Sequence, residues 1–298
     1  MEKIPVLLDT DIGSDIDDAV ALAYLLRQPR CELLGITTVS GEPEKRAMLA
    51  DAVCRAGGRN DIPIHVGTAD PFLVAQRQPH APQAEALTDQ WPHNTFTTEN
   101  TALTFLRSAI RSRPGEITLL AIGPLTNIAL LFALDPELPA MLRQIVMMGG
   151  RFFTRSSRGG QTEWNIECDP HAAAKVFAAP VPIMAVGLDV TEQCKMDPDA
   201  CRGRFQQAGG ALALVAAMAE VWFRHAGAIT FHDPLAAALL FEPSLCELET
   251  TAVEVDLVQP HTMGSTLLLP DKANLPHRVA RSVRTDAFFE HYFSIVGG

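Results

Sequence analysis

The amino-acid sequence predicts one α/β domain built on an open, mostly parallel β-sheet with helices on both faces. Short apolar runs alternate with segments of helical periodicity along most of the 298 residues, and this alternation is typical of parallel sheets. The runs are apolar throughout, as expected for strands that are covered on both faces. Since no internal repeat, low-complexity segment or Ser/Gly linker marks a boundary, we predict a single domain over residues 1–298.

The predicted elements follow one another with few interruptions. Strands are predicted at Ile4–Leu8, Leu33–Val39, Pro63–Val66, Ile117–Ile122, Gln144–Met148 and Pro182–Val186. Helices are predicted at Asp17–Gln28, Pro43–Ala56, Asn100–Arg113, Leu125–Leu134, His171–Ala178, Ala211–Arg224 and Asp286–Ile295. The irregular stretch 70–99 contains four prolines and predicts a lid or binding loop, and residues 197–212 predict a connector.

Charge and apolar content argue against several kinds of partner. The formal net charge is -11 at pH 7 and no basic run exceeds two residues, which disfavours a nucleic-acid partner. No apolar stretch reaches the length of a membrane span, and the early first strand leaves no room for a signal peptide. Six scattered cysteines without a CxxC pair indicate reduced thiols. We therefore expect a cytoplasmic protein without membrane or nucleic-acid partners.

Five aspartates lie within ten residues at the end of the first strand, and they are Asp9, Asp11, Asp15, Asp17 and Asp18. Packed carboxylates repel one another and are costly unless they are protonated or neutralised. A hard divalent cation with oxygen ligands neutralises them, so the stretch predicts a metal site. The alternative is a solvated acidic turn in which Asp17 or Asp18 caps the next helix. The absence of an interspersed Lys or Arg favours the metal site.

Polar and glycine-containing segments also follow the later strands, where ligands of parallel sheets gather. They are Ser40–Glu42, GPLTN at Gly123–Asn127, EWN at Glu163–Asn165 and GLDVT at Gly187–Thr191. Each segment alone is weak evidence, but their shared location is stronger.

A later stretch, FHDP at Phe231–Pro234, has two interpretations. Asp233 can cap the apolar helical run Leu235–Leu240, with Pro234 at the first helical position. Alternatively, Asp233 is a late metal ligand and His232 a proton donor, since imidazole suits proton transfer at neutral pH. The fragment alone favours the cap.

Five stretches, in this order, resemble the nucleoside hydrolase family, the inosine–uridine-preferring nucleoside N-ribohydrolases. They are DTDIGSDIDDAVAL, GPLTNIALL, EWNIECDPHAA, GLDVT and FHDP, and the resemblance extends from Ile4 to the final predicted helix. It implies a Rossmann-like core, hydrolysis of the N-glycosidic bond of ribonucleosides to base and ribose, one bound Ca²⁺, and a homodimer or homotetramer.

The resemblance also implies the metal ligands and the catalytic groups. The Ca²⁺ ligands would be the carboxylates of Asp11, Asp18 and Asp233 with the main-chain carbonyl of Thr126, which suits the oxygen preference of the ion. Asp11 would act as general base toward a water molecule. His232 would protonate the departing base.

The remaining implied roles concern the substrate. The ribose hydroxyls would be bound by Asp17, Glu163 and Asn165. Asp9 would orient the metal ligands without binding the ion. The base pocket would draw on His80, Trp164, Trp222 and Arg224. Trp222 and Phe223 can each stack on a base or belong to the core side of an amphipathic helix, and for Phe223 the core is favoured.

Three departures from the family pattern leave base preference open. The aspartate loop is two residues longer than the family's shorter form, and Asp15 receives no role. Glu42 stands where many members have Asn and would add a carboxylate near the ion. The segment 79–93 replaces a His- and Gly-rich family segment, so purine or pyrimidine preference does not follow.

Two other functions compete with nucleoside hydrolysis. Asp9-Thr10-Asp11 after an apolar strand mimics the nucleophile loop of haloacid-dehalogenase-type phosphatases, but no Lys stands in the context that phosphoryl transfer needs. The second alternative is a nucleoside- or ribose-binding homologue that has lost turnover. Release of ribose, with and without chelator, separates these functions.

Overall fold

The computed structural model describes residues 3–154, 162–270 and 277–297. The strands in these ranges are β1 Ile4–Thr10, β2 Cys31–Thr38, β3 Ile64–Val66, β4 Thr118–Ala121, β5 Gln144–Met148, β6 Ile183–Val186, β7 Lys195–Met196, β8 Ile229–Thr230, β9 Cys246–Val255, β10 Thr266–Leu269 and β11 His277–Val283. The helices are α1 Asp17–Arg27, α2 Pro43–Ala56, α3 Ala102–Ser112, α4 Thr126–Leu134, α5 Leu138–Met141, α6 Trp164–Cys168, α7 Pro170–Phe177, α8 Leu188–Thr191, α9 Pro198–Ala208, α10 Ala211–Phe223, α11 His232–Phe241 and α12 Thr285–Val296. Two 3-10 helices cover Pro82–Ala86 and Pro243–Leu245.

Nine of the described strands form one sheet in the order β10-β9-β11-β6-β5-β4-β1-β2-β3. All neighbours from β11 to β3 are parallel, whereas β9 runs antiparallel to both β10 and β11. The run β3-β2-β1-β4-β5-β6 is the strand order of a Rossmann-type doubly wound sheet. The predicted open, mostly parallel sheet is therefore confirmed.

Helices cover both faces because the strands are apolar on both sides. In β1, Val6 and Leu8 pack into the layer of α1, α2, α10, α11 and α12, while Leu7 packs into the opposite layer of α3, α4 and α7. All three side chains are fully buried. No described helix is long and apolar enough to cross a membrane.

The predicted connector 197–212 is wrong over most of its length, because α9 occupies Pro198–Ala208. The Asp197 carboxylate caps this helix by accepting a hydrogen bond of 3.0 Å from the Ala200 N–H, and Pro198 takes the first helical position. Only Cys201 and Phe205 of α9 are buried. Two apolar residues four apart in a polar segment give a weak periodic signal.

The antiparallel edge formed by β9, β10 and β11 was not predicted. The sequence of β9, CELETTAVEV, mixes exposed glutamates such as Glu247 and Glu254 with buried residues such as Val253 and Val255. A strand near the edge of a sheet with one wetted face alternates in this way and does not form a continuous apolar run.

The site lies where the topology changes direction. The chain leaves β1 toward β2 and β3, then returns to the other side of β1 to form β4. Such a switch point opens a crevice at the carboxyl ends of the two central strands. Asp9, near the end of β1, is in register with Thr37 of β2 and Ala121 of β4, so the residues after β1 and β4 lie side by side.

The start of α11 is held by aromatic packing, which predicts a stability effect. The Phe231 ring is fully buried, with its centroid 5.2 Å from that of Phe289 and 5.5 Å from that of Tyr292. We expect Phe231→Ala to lower the free energy of unfolding by about 3 to 5 kcal/mol in urea denaturation. The control Leu134→Ala, at a side chain that is 68% exposed, should change it by less than about 0.5 kcal/mol. Similar effects of both substitutions would contradict this packing.

Candidate active site

A cavity of about 360 Å³ opens where β1, β4 and β5 end. Its walls carry an unusual density of carboxylates together with two indole rings and one imidazole. The lining residues are Asp11, Ser14, Asp15, Asp17, Asp18, Gln78, Ile122, Met148, Glu163, Trp164, Asn165, Leu188, Trp222, His232 and Asp233. Nine of the residues selected from the sequence lie in this lining. Asp9, His80, Thr126 and Arg224 lie outside it.

The aspartate loop is shaped by a glycine and a threonine. Gly13 has φ +115°, a conformation that L side chains rarely adopt, and an added Cβ would lie 2.6 Å from Leu49 Cδ1. The Thr10 hydroxyl accepts a 3.1 Å hydrogen bond from the Ile12 N–H and donates to Asp18 Oδ1. Because α1 begins at Asp17 itself, the alternative in which Asp17 or Asp18 caps this helix is wrong.

Asp9 lies beneath this loop and does not reach the cavity. Its Oδ1 accepts hydrogen bonds from the Thr37 hydroxyl and, at 2.8 Å, from Asn127 Nδ2. Its Oδ2 has no partner within the described ranges. Burial raises the pKa of Asp9 to about 7. This placement suits a supporting residue, and that role stays a prediction.

Three buried carboxylates come together at the starts of α1 and α11. Each of Asp17, Asp18 and Asp233 offers one oxygen, and these oxygens lie within 4.8 Å of one another. The Asp233 N–H donates to Asp17 Oδ2 at 3.1 Å. Since α11 begins at His232, Asp233 lies inside the first turn, and its interpretation as an N-cap is wrong.

The surroundings of this group favour a bound cation. Burial, together with the charges of Asp17 and Asp18, raises the pKa of Asp233 well above its usual value. Burial with the charges of neighbouring aspartates raises the pKa values of Asp17 and Asp18 in the same way. The positive ends of two helices partly offset this charge. Three carboxylate oxygens at this spacing fit a hard divalent cation.

The metal ligands that the family resemblance implies differ from this group in two respects. Asp11 borders the cavity, but the compact group contains Asp17 in its place. Thr126 lies outside the lining, and its hydroxyl donates to Asp169 Oδ2 at 2.9 Å. Ile122, directly after β4, does line the cavity, and its carbonyl accepts from Asn165 Nδ2 at 2.9 Å. The role of the Thr126 carbonyl as a ligand stays a prediction.

Glu163 and Asn165 are fixed by main-chain contacts. Glu163 caps α6 and accepts hydrogen bonds from the N–H groups of Asn165, Ile166 and Gly150 at 2.8, 3.2 and 3.1 Å. Burial nevertheless raises the pKa of Glu163 to about 7. Asn165 Nδ2 donates to the Ile122 carbonyl at 2.9 Å. Both side chains remain in the cavity wall.

His232 is oriented by a threonine of the GLDVT stretch. Its Nδ1 lies 2.7 Å from the hydroxyl oxygen of Thr191, which is fully buried. Burial, with smaller contributions from Lys195 and Arg151, lowers the pKa of His232 to about 4. The ring is therefore neutral at pH 7. We assign the tautomer in which Nδ1 accepts from Thr191 and Nε2 carries the proton.

The aromatic and basic candidates for the base pocket divide into two groups. Trp164, which is 46% exposed, and Trp222 line the cavity. His80 is exposed beside Glu42, with 3.6 Å between Nδ1 and Oε1. Arg224 pairs with Glu85 on the surface, with 2.6 Å between Nη1 and Oε2. The structure therefore does not place His80 or Arg224 against a base.

Phe223 packs against the core, as favoured from the sequence, whereas Glu42 is placed differently from expectation. Phe223 lies under the Arg202 guanidinium, 5.1 Å from the ring centroid, and does not line the cavity. The Glu42 carboxylate pairs with Lys45 at 2.6 Å and accepts from the Ala81 N–H at 3.0 Å. Glu42 thus holds the 70–99 loop and adds no carboxylate to the cavity.

Sequence reasoning missed several lining residues, namely Ser14, Gln78, Ile122, Met148 and Leu188. Asp15, which received no role, also lines the cavity. Ile122, Met148 and Leu188 end or follow predicted strands, so their position was a usable signal. Gln78 lies in the irregular 70–99 loop, where no periodicity marks it.

Comparisons with known proteins agree with the fold and identify the family. Residues 6–290 match the family described as inosine-uridine preferring nucleoside hydrolase. Relatives named non-specific ribonucleoside hydrolase RihC from Escherichia coli (strain SMS-3-5 / SECEC) and Shigella boydii serotype 18 are each 35% identical over 275 residues, which cover 89% of this chain and 88% of theirs.

Solved structures share the whole fold. A purine-preferring ribonucleoside hydrolase from Gardnerella vaginalis has a TM-score of 0.86 at 24% identity, over 99% of this chain and 98% of that one. The plant nucleoside hydrolase PpNRh1 has a TM-score of 0.82 at 25% identity, over 99% of both chains. Fold and relatives together define a hydrolase of the N-glycosidase class. More specifically, the chain belongs to the inosine-uridine preferring nucleoside hydrolase family.

The carboxylate group predicts divalent-cation binding. After dialysis against chelator, Asp17→Asn, Asp18→Asn and Asp233→Asn should each weaken Ca²⁺ or Mg²⁺ affinity by more than about tenfold in calorimetric titration, because each removes one anionic ligand. Asp199→Asn is the matched control, since that carboxylate is 93% exposed beside Arg202. Unchanged affinity in all three variants would contradict the assignment.

Proposed function

We propose that this protein hydrolyses the N-glycosidic bond of ribonucleosides in a Ca²⁺-dependent reaction, giving free base and ribose. The observation that carries the proposal is the buried group of Asp17, Asp18 and Asp233 in a cavity that His232 also lines. The names of the RihC relatives support ribonucleosides as the substrate class. The identity of the cation rests on the family resemblance and on an all-oxygen donor set.

The carboxylates suit the charge that this reaction develops. Breaking a glycosidic bond makes the ribose resemble an oxocarbenium ion, and preorganised anions stabilise such a cation best in a site that excludes water. Six carboxylates in and around the cavity are nearly inaccessible to solvent, and they are Asp9, Asp11, Asp17, Asp18, Glu163 and Asp233. We assign general-base catalysis to Asp11, which borders the cavity and removes a proton from the attacking water.

The cation would be held by Asp17, Asp18 and Asp233, with the main-chain carbonyl of either Thr126 or Ile122. Ca²⁺, when bound, supplies Lewis-acid polarisation and orients oxygen ligands. We assign Glu163 and Asn165, which line the cavity, to the ribose hydroxyls. Asp17, which the family resemblance assigns to the ribose, is assigned here to the cation. A site that binds hydroxyls with buried polar groups discriminates against substrates that lack them, which favours ribose over deoxyribose.

His232 is our candidate for protonation of the leaving base. Because the resting ring is neutral, it must take up a proton after substrate binds, since loss of Nε2–H from the neutral ring would leave an imidazolate. The imidazolium would donate Nδ1–H to the Thr191 hydroxyl and Nε2–H to the base. The Trp164 and Trp222 rings supply apolar faces for a planar base. All six cysteines are buried free thiols, which supports a cytoplasmic location. The proposed homodimer or homotetramer rests on the family resemblance.

A nucleoside panel tests the proposal. We expect wild-type protein with Ca²⁺ to release free ribose from ribonucleosides, and removal of the ion by a chelator to abolish most of this release. 2′-Deoxynucleosides should react more slowly by a factor of about 10² or more. If Ca²⁺ binds but no nucleoside yields ribose, the protein is a binding homologue. Turnover of para-nitrophenyl phosphate would instead support the phosphatase alternative.

The role of His232 predicts a dependence on the leaving group. His232→Ala should lower kcat for inosine by about 10² to 10⁴, the usual contribution of general acid catalysis. For para-nitrophenyl riboside, whose leaving group needs no protonation, the loss should stay below about tenfold. His93→Ala, at an exposed histidine, is the control. Equal losses on both substrates would show that His232 is not the acid.

A further inference from the structure

One glutamine of the 70–99 loop joins two walls of the cavity. Gln78 Nε2 donates to Asp11 Oδ2 at 2.5 Å, and its Oε1 accepts from Trp164 Nε1 at 2.8 Å. The side chain is only 7% exposed and lines the cavity. No motif that carries the family resemblance includes Gln78.

The chemistry of the two partners fixes the orientation of the amide. An indole N–H only donates, and an ionised carboxylate only accepts. Trp164 therefore requires the oxygen of Gln78, which leaves the NH₂ group for Asp11. An amide flipped by 180° would lose both contacts, so the network admits one arrangement.

Asp11 is confined on its other side by glycine. An added Cβ on Gly123 would lie 2.8 Å from Asp11 Oδ1 and 2.9 Å from the Asp11 nitrogen. Its Oδ1 thus lies against the start of the GPLTN stretch while Oδ2 faces Gln78. The close approach of Gly123 limits the room around Oδ1, and the hydrogen bond from Gln78 holds Oδ2.

A fully buried arginine holds the main chain of Gln78. Arg46 Nη2 donates to the carbonyls of Gln78 and His80 at 3.4 and 3.2 Å. Its Nη1 donates to the Asp11 carbonyl and, at 3.0 Å, to Ser14 Oγ. One guanidinium therefore ties the 70–99 loop to the aspartate loop, and its planar fork gives these contacts directional precision.

The same guanidinium also fixes the turn after β2. Arg46 Nε donates to the Ser40 carbonyl at 2.6 Å, and Ser40 has φ 69°. A non-glycine residue in the left-handed region is disfavoured, so this turn needs support from its contacts. The main chain around Gln78 is therefore held in place by Arg46, although Gln78 lies in an irregular loop.

We propose that Gln78 is a positioning residue that orients the Asp11 carboxylate for proton abstraction, a role that rests on the proposed function of Asp11. Gln78 acts through Asp11 and does not itself contact the reacting atoms. Its removal leaves the carboxylate in place but free to rotate about its last bond. Misplacement of a catalytic group by about 1 Å costs about 10²-fold in rate, and this loss appears in kcat.

The test compares two glutamines and one tryptophan. Gln78→Met keeps the length of the side chain and removes its donor, so kcat for a ribonucleoside should fall about 10- to 100-fold while KM changes less than about threefold. Trp164→Phe frees the Gln78 oxygen and should give a smaller loss of kcat. The control Gln144→Met makes the same change at the start of β5, where the side chain contacts Arg278, and should retain wild-type kcat.

A double-mutant cycle shows whether Gln78 acts through Asp11. In the Asp11→Asn background, Gln78→Met should lower the residual kcat by less than about twofold, because residues that act as one unit give non-additive losses. A full additional loss, or a loss in KM alone, would overturn the positioning role while leaving the proposed function intact. Wild-type kcat in Asp11→Asn would instead overturn the general-base assignment, and with it this inference.

Discussion

Mutual repulsion of buried carboxylates is the constraint on which this structure depends. Six of them lie in or beneath one cavity with almost no access to water, where neighbouring charges interact far more strongly than in solvent. The fold offsets this repulsion with the N-termini of α1 and α11, with the guanidinium of Arg46 and with hydrogen bonds to Asp9 and Glu163. A divalent cation would supply the remaining compensation, so the electrostatics of the fold support the proposed metal site.

The topology decides which segments share that constraint. β1 and β4 are neighbours although more than 100 residues separate them along the chain. The aspartate loop and Ile122 therefore lie together at the crevice between the carboxyl ends of these strands. α11 then packs beside α1 and places Asp233 next to Asp17. Phe231 packs among the aromatic rings of α12. Because Phe231 directly precedes α11, this packing fixes the position of Asp233 in the cavity. Core packing of the C-terminal helix thereby positions one member of the buried carboxylate group.

The sequence predicted the parts of this arrangement that have a strong local signal. Apolar strands and the cluster beginning at Asp9 were visible because covered strands and unpaired carboxylates are compositionally unusual. α9 and β9 were not predicted, because both are partly exposed and mix polar with apolar residues. The choice between Thr126 and Ile122 as the main-chain ligand does not follow from the sequence, since a carbonyl carries no side-chain signature. The contacts of Gln78 were not predicted for a related reason. Its partners Asp11 and Trp164 are distant in sequence, and no local pattern indicates that they meet.

The cavity combines two kinds of structure with different tolerance to change. The wall that we propose binds ribose is built from strand ends and helix starts, where Glu163 and Asn165 are fixed by main-chain contacts. The wall that we propose binds the base is built from Trp222 at the end of α10 and from the 70–99 loop, whose Gln78 contacts Trp164. Rigid elements hold reacting groups with greater precision than loops do, whereas loops accept substitutions more readily. Base preference can therefore change through the loop while the bond-breaking chemistry stays the same, provided that Arg46 keeps Gln78 against Asp11.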